Sequence, residues 1–237
     1  MSAPKLAVAA VATLLLVAWS VRSFVVDDNS TRATSDVVVA AGDGQIEDAQ
    51  AVDVRPVAVA TVRGIPVGYP QSRSGASTAA VNWVASFPQL MKLNPLSLQN
   101  ALIELMSERG AVTFIDDAVQ DYMALLDVLG PAIRERVWIE SPLQATVHSS
   151  TDTTATVGVW SVVVTGSETD AAVVSLWRTH RIDLVWERGD WKIDEVALTE
   201  GPTPVGADGA LPSSPSEFVE INTWEPAVFA DTTQSED

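Results

Sequence analysis

The stretch Ser175–Ile193, SLWRTHRIDLVWERGDWKI, decides the fold. Its side chains alternate in character with period two, the signature of a half-buried strand. Trp177, Thr179, Arg181, Asp183 and Val185 fall on one face; Arg178, His180, Ile182, Leu184 and Trp186 fall on the other. Glu187-Arg188-Gly189-Asp190, set between Trp186 and Trp191, reads as a short hairpin loop. The chain therefore returns antiparallel through Asp190–Thr199.

Upstream, Arg136–Ser149 and Thr153–Thr165 are also rich in Val, Thr, Ile and Trp, which gives four antiparallel strands with Val173–Glu187 and Asp190–Thr199. Before residue 130 the period changes to 3.6. Ala76, Ala79, Ala80, Trp83, Val84 and Phe87 form one helical stripe, with Ser72 or Ser74 as cap and Pro88 near its end. Asn94-Pro95 is a cap followed by proline at the first helical position. The helix after it buries Leu98, Leu102, Leu105 and Met106 and is expected to close at Gly110. A third helix, from about Asp116 to Leu129, places two aspartates at its positive end. Three helices followed by four strands predict an α+β domain with the helices on one face of a curved sheet.

The ends differ in composition. Leu6–Val21 carries no charge, and with Arg22 snorkelling the apolar run extends to Val26. That length suffices to cross a bilayer core of about 30 Å. Either an uncleaved signal anchor or a cleaved signal peptide, with small residues around Ala18-Trp19-Ser20, fits it. Both readings put the rest of the chain outside the cytoplasm. Residues 27–62 hold seven acidic and two basic residues and read as a flexible stalk. The expected organisation is a signal anchor over 1–26, a stalk over 27–62, a domain over 63–204 and a disordered acidic tail over 205–237. From Gly201 onward there are five prolines, seven acids and no base. Within that tail Phe218, Val219, Ile221 and Trp224 form an apolar cluster, which either docks on a partner or folds back.

The 237 residues carry a formal charge of −17, so the surface repels phosphate and a nucleic-acid partner is excluded. No cysteine is present, which removes disulfides, thiol catalysis and Cys-ligated zinc. There is no Gly-rich phosphate loop, no Ser nucleophile elbow and no zinc spacing, and no cofactor or metal is expected.

The segments GYPQSRSGASTAAVNWV, VGVWSVVVTG, SLWRTHRIDLVWERGDWKI and GPTP together resemble a family of actinobacterial membrane-anchored proteins of integrative and conjugative elements. The positions that carry the resemblance are Gly68-Tyr69-Pro70, Gly75-Ala76, Trp177, Thr179, Leu184, Trp186, Gly189-Asp190-Trp191-Lys192 and Gly201-Pro202-Thr203-Pro204. It covers about residues 63–204. The resemblance implies a cystatin-like cone domain, of the nuclear transport factor two and ketosteroid isomerase type. It also implies an architecture similar to the bitopic assembly-factor subunits of type IV secretion systems. The expected function is a non-enzymatic assembly or scaffold module, single-pass at the cell membrane through Leu6–Val26. Its partners would be other envelope proteins, with self-association through an open sheet face.

The competing reading is a small-molecule binder or an isomerase/lyase-type enzyme using a pocket in the cone. Its candidate pocket residues are His180, Asp183, Glu195 and Tyr122. His180, beside Ile182, Leu184 and Trp186, is either a pocket base or a hydrogen-bonded core histidine. Arg181 and Asp183 read as a solvated cross-strand pattern, and the Trp series as packing.

Overall fold

The computed structural model describes residues 57–130, 136–166, 173–206 and 211–232. The run Leu6–Val26 and most of the expected stalk lie outside the described residues. Among the described residues no helix is long and apolar enough to cross a membrane.

Three short strands come first: β1 (Val57–Ala58), β2 (Ala60–Val62) and β3 (Ile65–Val67), with β2 and β3 paired antiparallel. Regular structure thus begins inside the expected stalk, because Ile65 is buried and holds this small hairpin on the core. Three helices follow: α1 (Arg73–Leu90), α2 (Pro95–Leu105) and α3 (Glu108–Leu129). Ser72 caps α1 by accepting from the Gly75 amide at 3.0 Å. Asn94 caps α2 by accepting from Ser97 at 2.9 Å, and Pro88 sits inside the last turn of α1.

The boundary between α2 and α3 falls earlier than expected. Met106 is extended and bridges Ile193, and Ser107 then caps α3 by accepting from the Gly110 amide at 2.9 Å. Gly110 does not close a helix. It lies in the first turn of α3, where a Cβ would stand 2.8 Å from the carbonyl oxygens of both Ile193 and Asp194. Absence of a side chain lets the helix start abut the sheet. Asp116 and Asp117 consequently sit within α3, and Glu108 is the acid in its first turn.

The sheet is built from β4 (Val137–Ser150), β5 (Thr154–Gly166), β6 (Val174–Glu187) and β7 (Asp190–Glu200), each antiparallel to the next. Arg188 and Gly189 both have positive φ, 55° and 75°, as a type I′ hairpin turn requires. A fifth strand, β8 (Glu225–Pro226), adds to the outer edge of β4, giving the order β7-β6-β5-β4-β8. The fold is α+β with a five-stranded antiparallel sheet, one strand more than expected. A last strand, β9 (Asp231–Thr232), runs parallel to β1.

One face of the sheet and the helices enclose the main core. Val157, Val159, Val163, Ile182 and Leu184 meet Ala76, Ala80, Val84 and Leu102 there. Two segments distant in sequence lock the lead-in to the hairpin. The Tyr69 amide donates to Asp190 Oδ1 at 3.0 Å, and Trp191 Nε1 donates to the Pro70 carbonyl at 3.0 Å. Burial, then the neighbouring Asp190 charge, push the Tyr69 phenol upward, so it stays protonated.

Candidate functional site

Alternation along β6 places Arg178 and His180 on the helix-facing side with Ile182 and Leu184. All four are buried. Two basic side chains on an apolar face need a partner in that low-dielectric setting. β4 and β5 supply it. Glu140 is buried on β4, and Ser161 is buried on β5. His180 Nε2 lies 2.7 Å from Glu140 Oε1, and the Ser161 hydroxyl donates to the same oxygen at 2.9 Å. Ser161 Oγ also stands 3.2 Å from His180 Nε2. Burial pushes the Glu140 carboxyl up. The charge and hydrogen bond of His180, the Arg178 guanidinium and the Ser161 hydroxyl outweigh burial, and the net direction is below the ordinary carboxylate value of 4.5. Burial lowers Arg178, against the opposing pull of Glu140 and Glu200.

A serine, a histidine and an acid in contact invite comparison with a nucleophile triad. The geometry is different. In a triad the acid holds one ring nitrogen and the serine the other. Here Glu140 and Ser161 share Nε2, so the ring is not placed to pass a proton from Ser161 toward Glu140. The arrangement is a carboxylate held by a histidine ring nitrogen and a serine hydroxyl, with the Arg178 guanidinium close by.

Trp83, Phe87 and Phe114 from the helices, with Val196 and Leu198 from β7, roof this cluster over a cavity of about 30 Å³. That is room for about one or two water molecules. Glu140 Oε2 and Trp83 Nε1 have no hydrogen-bond partner among the described residues, and both residues line the cavity. One is an acceptor and the other a donor, and both residues border the same cavity.

The remaining expected pocket residues are elsewhere. Asp183 is on the opposite face of β6, where it accepts from Thr156 Oγ1 at 2.5 Å and pairs with Arg181 at 3.5 Å. Glu195 points to solvent. The reason is a bulge: Asp183 pairs with Glu195 but Leu184 pairs with Ile193, leaving Asp194 as an extra residue. A bulge inverts the alternation beyond it. Asp194 turns inward and binds Ser107 Oγ at 2.5 Å and Arg109. Tyr122 is buried on α3 and does not line the cavity beside His180. Its hydroxyl lies 2.6 Å from the Leu93 carbonyl and 3.0 Å from that of Met91, tying α3 to the turn after α1. Glu140 escaped sequence reasoning, although it alternates with Val137 and Ile139 on the face that also carries Trp138. The pair Arg178 and His180 was the signal that an acid had to oppose them.

The apolar cluster of the tail folds back on the domain. Pro215–Phe218 and Ile221–Thr223 form two 3₁₀ turns. Phe218, Ile221 and Trp224 are spaced i, i+3, i+6, which places them on one side of a helix with three residues per turn. They meet Trp160, Trp177 and Leu143 on the outer face of the sheet. Trp160 and Trp177 stack at 5.0 Å between centroids, and Phe218 stands edge-on to Trp160 at 6.0 Å. Trp224 lies over Gly158, where a Cβ would come within 2.7 Å of its ring. Ile221 and Trp224 are 3 % and 8 % exposed, whereas Val219, off the period, is 65 % exposed. The described part of the tail is thus ordered by these anchors, and it covers part of the sheet face expected to be open.

No family model matches the chain, and no curated protein matches it. Among solved structures, it is similar to the intermembrane space region of the chloroplast protein ARC6, with 20% identity over 53% of this chain and 97% of that one, at a TM-score of 0.32.

Proposed function

We propose that this chain is a non-enzymatic assembly module, held at a membrane by Leu6–Val26, that joins envelope proteins in a secretion- or conjugation-type complex. In this reading the bent five-stranded sheet with its three helices is a cystatin-like cone, and the cone lies outside the cytoplasm. The observation that carries the reading is the outer sheet face beside the folded-back tail. Val137 and Ile139 are 57 % and 56 % exposed there. Ile139 pairs across with Val164, and Val162 pairs with Trp177, so these apolar residues link the exposed pair to the covered aromatic stack, with Ser141 and Ser175 beside them. An exposed apolar sheet surface on a strongly acidic chain is the kind of feature that marks a protein contact. The uncharged run at the N-terminus and the resemblance of residues 63–204 add support.

The test is cross-linking of the full chain in its native membrane, with and without Ile139→Arg. The expected result is recovery of the chain with the membrane fraction and at least a tenfold loss of cross-linked species in the variant. Recovery of the full chain in the soluble fraction without detergent, or unchanged cross-linking by Ile139→Arg, overturns the reading.

A second reading, a small-molecule binder or isomerase-type enzyme, is favoured by the unpartnered Glu140 Oε2 and Trp83 Nε1 at their cavity. Substrate pockets run to about 300–1,000 Å³, so Trp83, Phe87 and Phe114 would have to swing aside. Thermal stabilisation by a small polar compound, abolished in Glu140→Gln, would favour it.

A further inference from the structure

We propose that the outer sheet face is a peptide-docking site whose resident occupant is this chain's own segment 211–230. The site's partners are then protein segments that present an aromatic, an aliphatic and an aromatic side chain at i, i+3, i+6. The inference deepens the assembly reading by naming the chemistry of the partner.

Three observations carry it. First, the contact is side-chain anchored. Phe218, Ile221 and Trp224 enter the site, while Val219, Glu220, Asn222 and Thr223 between them are exposed. Second, the backbone adds only a short length of ladder. β8 pairs with β4 at Gln144↔Pro226 and Ala145↔Glu225, and the Ala227 amide donates to the Leu143 carbonyl at 3.0 Å. This is strand addition to a sheet edge, a recurring mode of peptide recognition. Third, an open cleft runs along the edge of the segment. A cleft of about 240 Å³ lies between segment and sheet, with Glu217, Glu220, Ile221 and Trp224 on one side and His148, Thr179 and Arg181 on the other. The cleft opens to solvent and borders the contact along its polar side.

The resident segment is tethered, so it acts at an effective concentration in the millimolar range and competes strongly with any partner. An incoming segment of the same spacing gains access when the resident one lifts. The surface it meets is continuous with Val162 and Trp177, so occupancy of the two halves of the face is coupled by adjacency.

The test uses the full chain. A fluorescent peptide spanning Pro212–Phe229 is titrated onto the native protein and onto the double variant Ile221→Asp, Trp224→Ala, in which the resident segment is released. Binding to the variant is expected at least tenfold tighter than to the native chain, and a peptide with all three anchors replaced by alanine is expected not to bind. A folded variant that gains no affinity, or that binds the anchorless peptide equally, overturns the proposal. Hydrogen exchange on the native chain decides independently of the variant's folding. The proposal requires amides of 221–227 to exchange through local opening, at least tenfold faster than those of β5; exchange of both only together overturns it. Neither measurement involves Ile139 or the membrane, so failure here is distinct from failure of the assembly reading.

Discussion

The two faces of the sheet are covered in opposite ways. The inner face is closed by α1, which buries thirteen of its eighteen residues and is continuous with the rest of the helical layer. The outer face is covered only in part, by two 3₁₀ turns hung on three side chains. The inner cover shelters a buried charge cluster, whose members taken out of water depend on one another as partners. The outer cover shelters stacked aromatics, which tolerate either water or another protein. Local stability follows the number of buried contacts, so the inner face belongs to the last part of the molecule to open and the outer cover to the first.

The largest expected effect tests the inner face. Glu140→Ala removes the partner of His180 and leaves buried Arg178 with Glu200 but without the stronger of its opposing charges. A broken buried pair costs about 3–5 kcal/mol, read as a fall in the chemical denaturation midpoint at neutral pH. A loss under about 1 kcal/mol would mean that the cluster is wetter than its burial implies, and the contrast between faces would weaken. Next comes Trp224→Ala. Truncating a core tryptophan costs about 3–5 kcal/mol, but here the loss is capped by the free energy of lifting the segment locally. Less than about 2 kcal/mol is expected at the global transition, with quenching of the Trp160 and Trp177 fluorescence by added iodide. A full core-sized loss would show that both covers open together. The smallest effect is on acid stability. The Glu140 carboxyl titrates below its ordinary value of 4.5 in the folded chain. Its contribution is therefore complete above that value and lost as pH falls through the folded pKa. Glu140→Gln should flatten the stability profile below pH 4.5 and leave its slope above that unchanged, as followed by denaturant titration across pH.

These contrasts were unequally legible in the sequence. Strong period-two alternation set the four long strands to within a residue, and it put His180 indoors with Arg178. Alternation is blind to a bulge, however, and the extra residue at Asp194 reversed the fate of Glu195. Helical periodicity carried α2 past Met106, because the break there depends on Ile193, a residue 87 positions away that bridges Met106. The acidic, proline-rich composition of 201–237 argued for disorder and hid a segment whose order comes from docking. The spacing of Phe218, Ile221 and Trp224 held the information, but its period of three has meaning only once a sheet face is there to receive it.

The parallel pairing of Val57 with Asp231 and Ala58 with Thr232 joins the first described residues to the last. It sets a load path. Tension applied through the chain before residue 57 reaches β9, and with it the distal end of the outer cover, as well as the main core through Ala58. Mechanical strain arriving from the amino-terminal side is therefore shared with the segment whose anchors shield the aromatic stack.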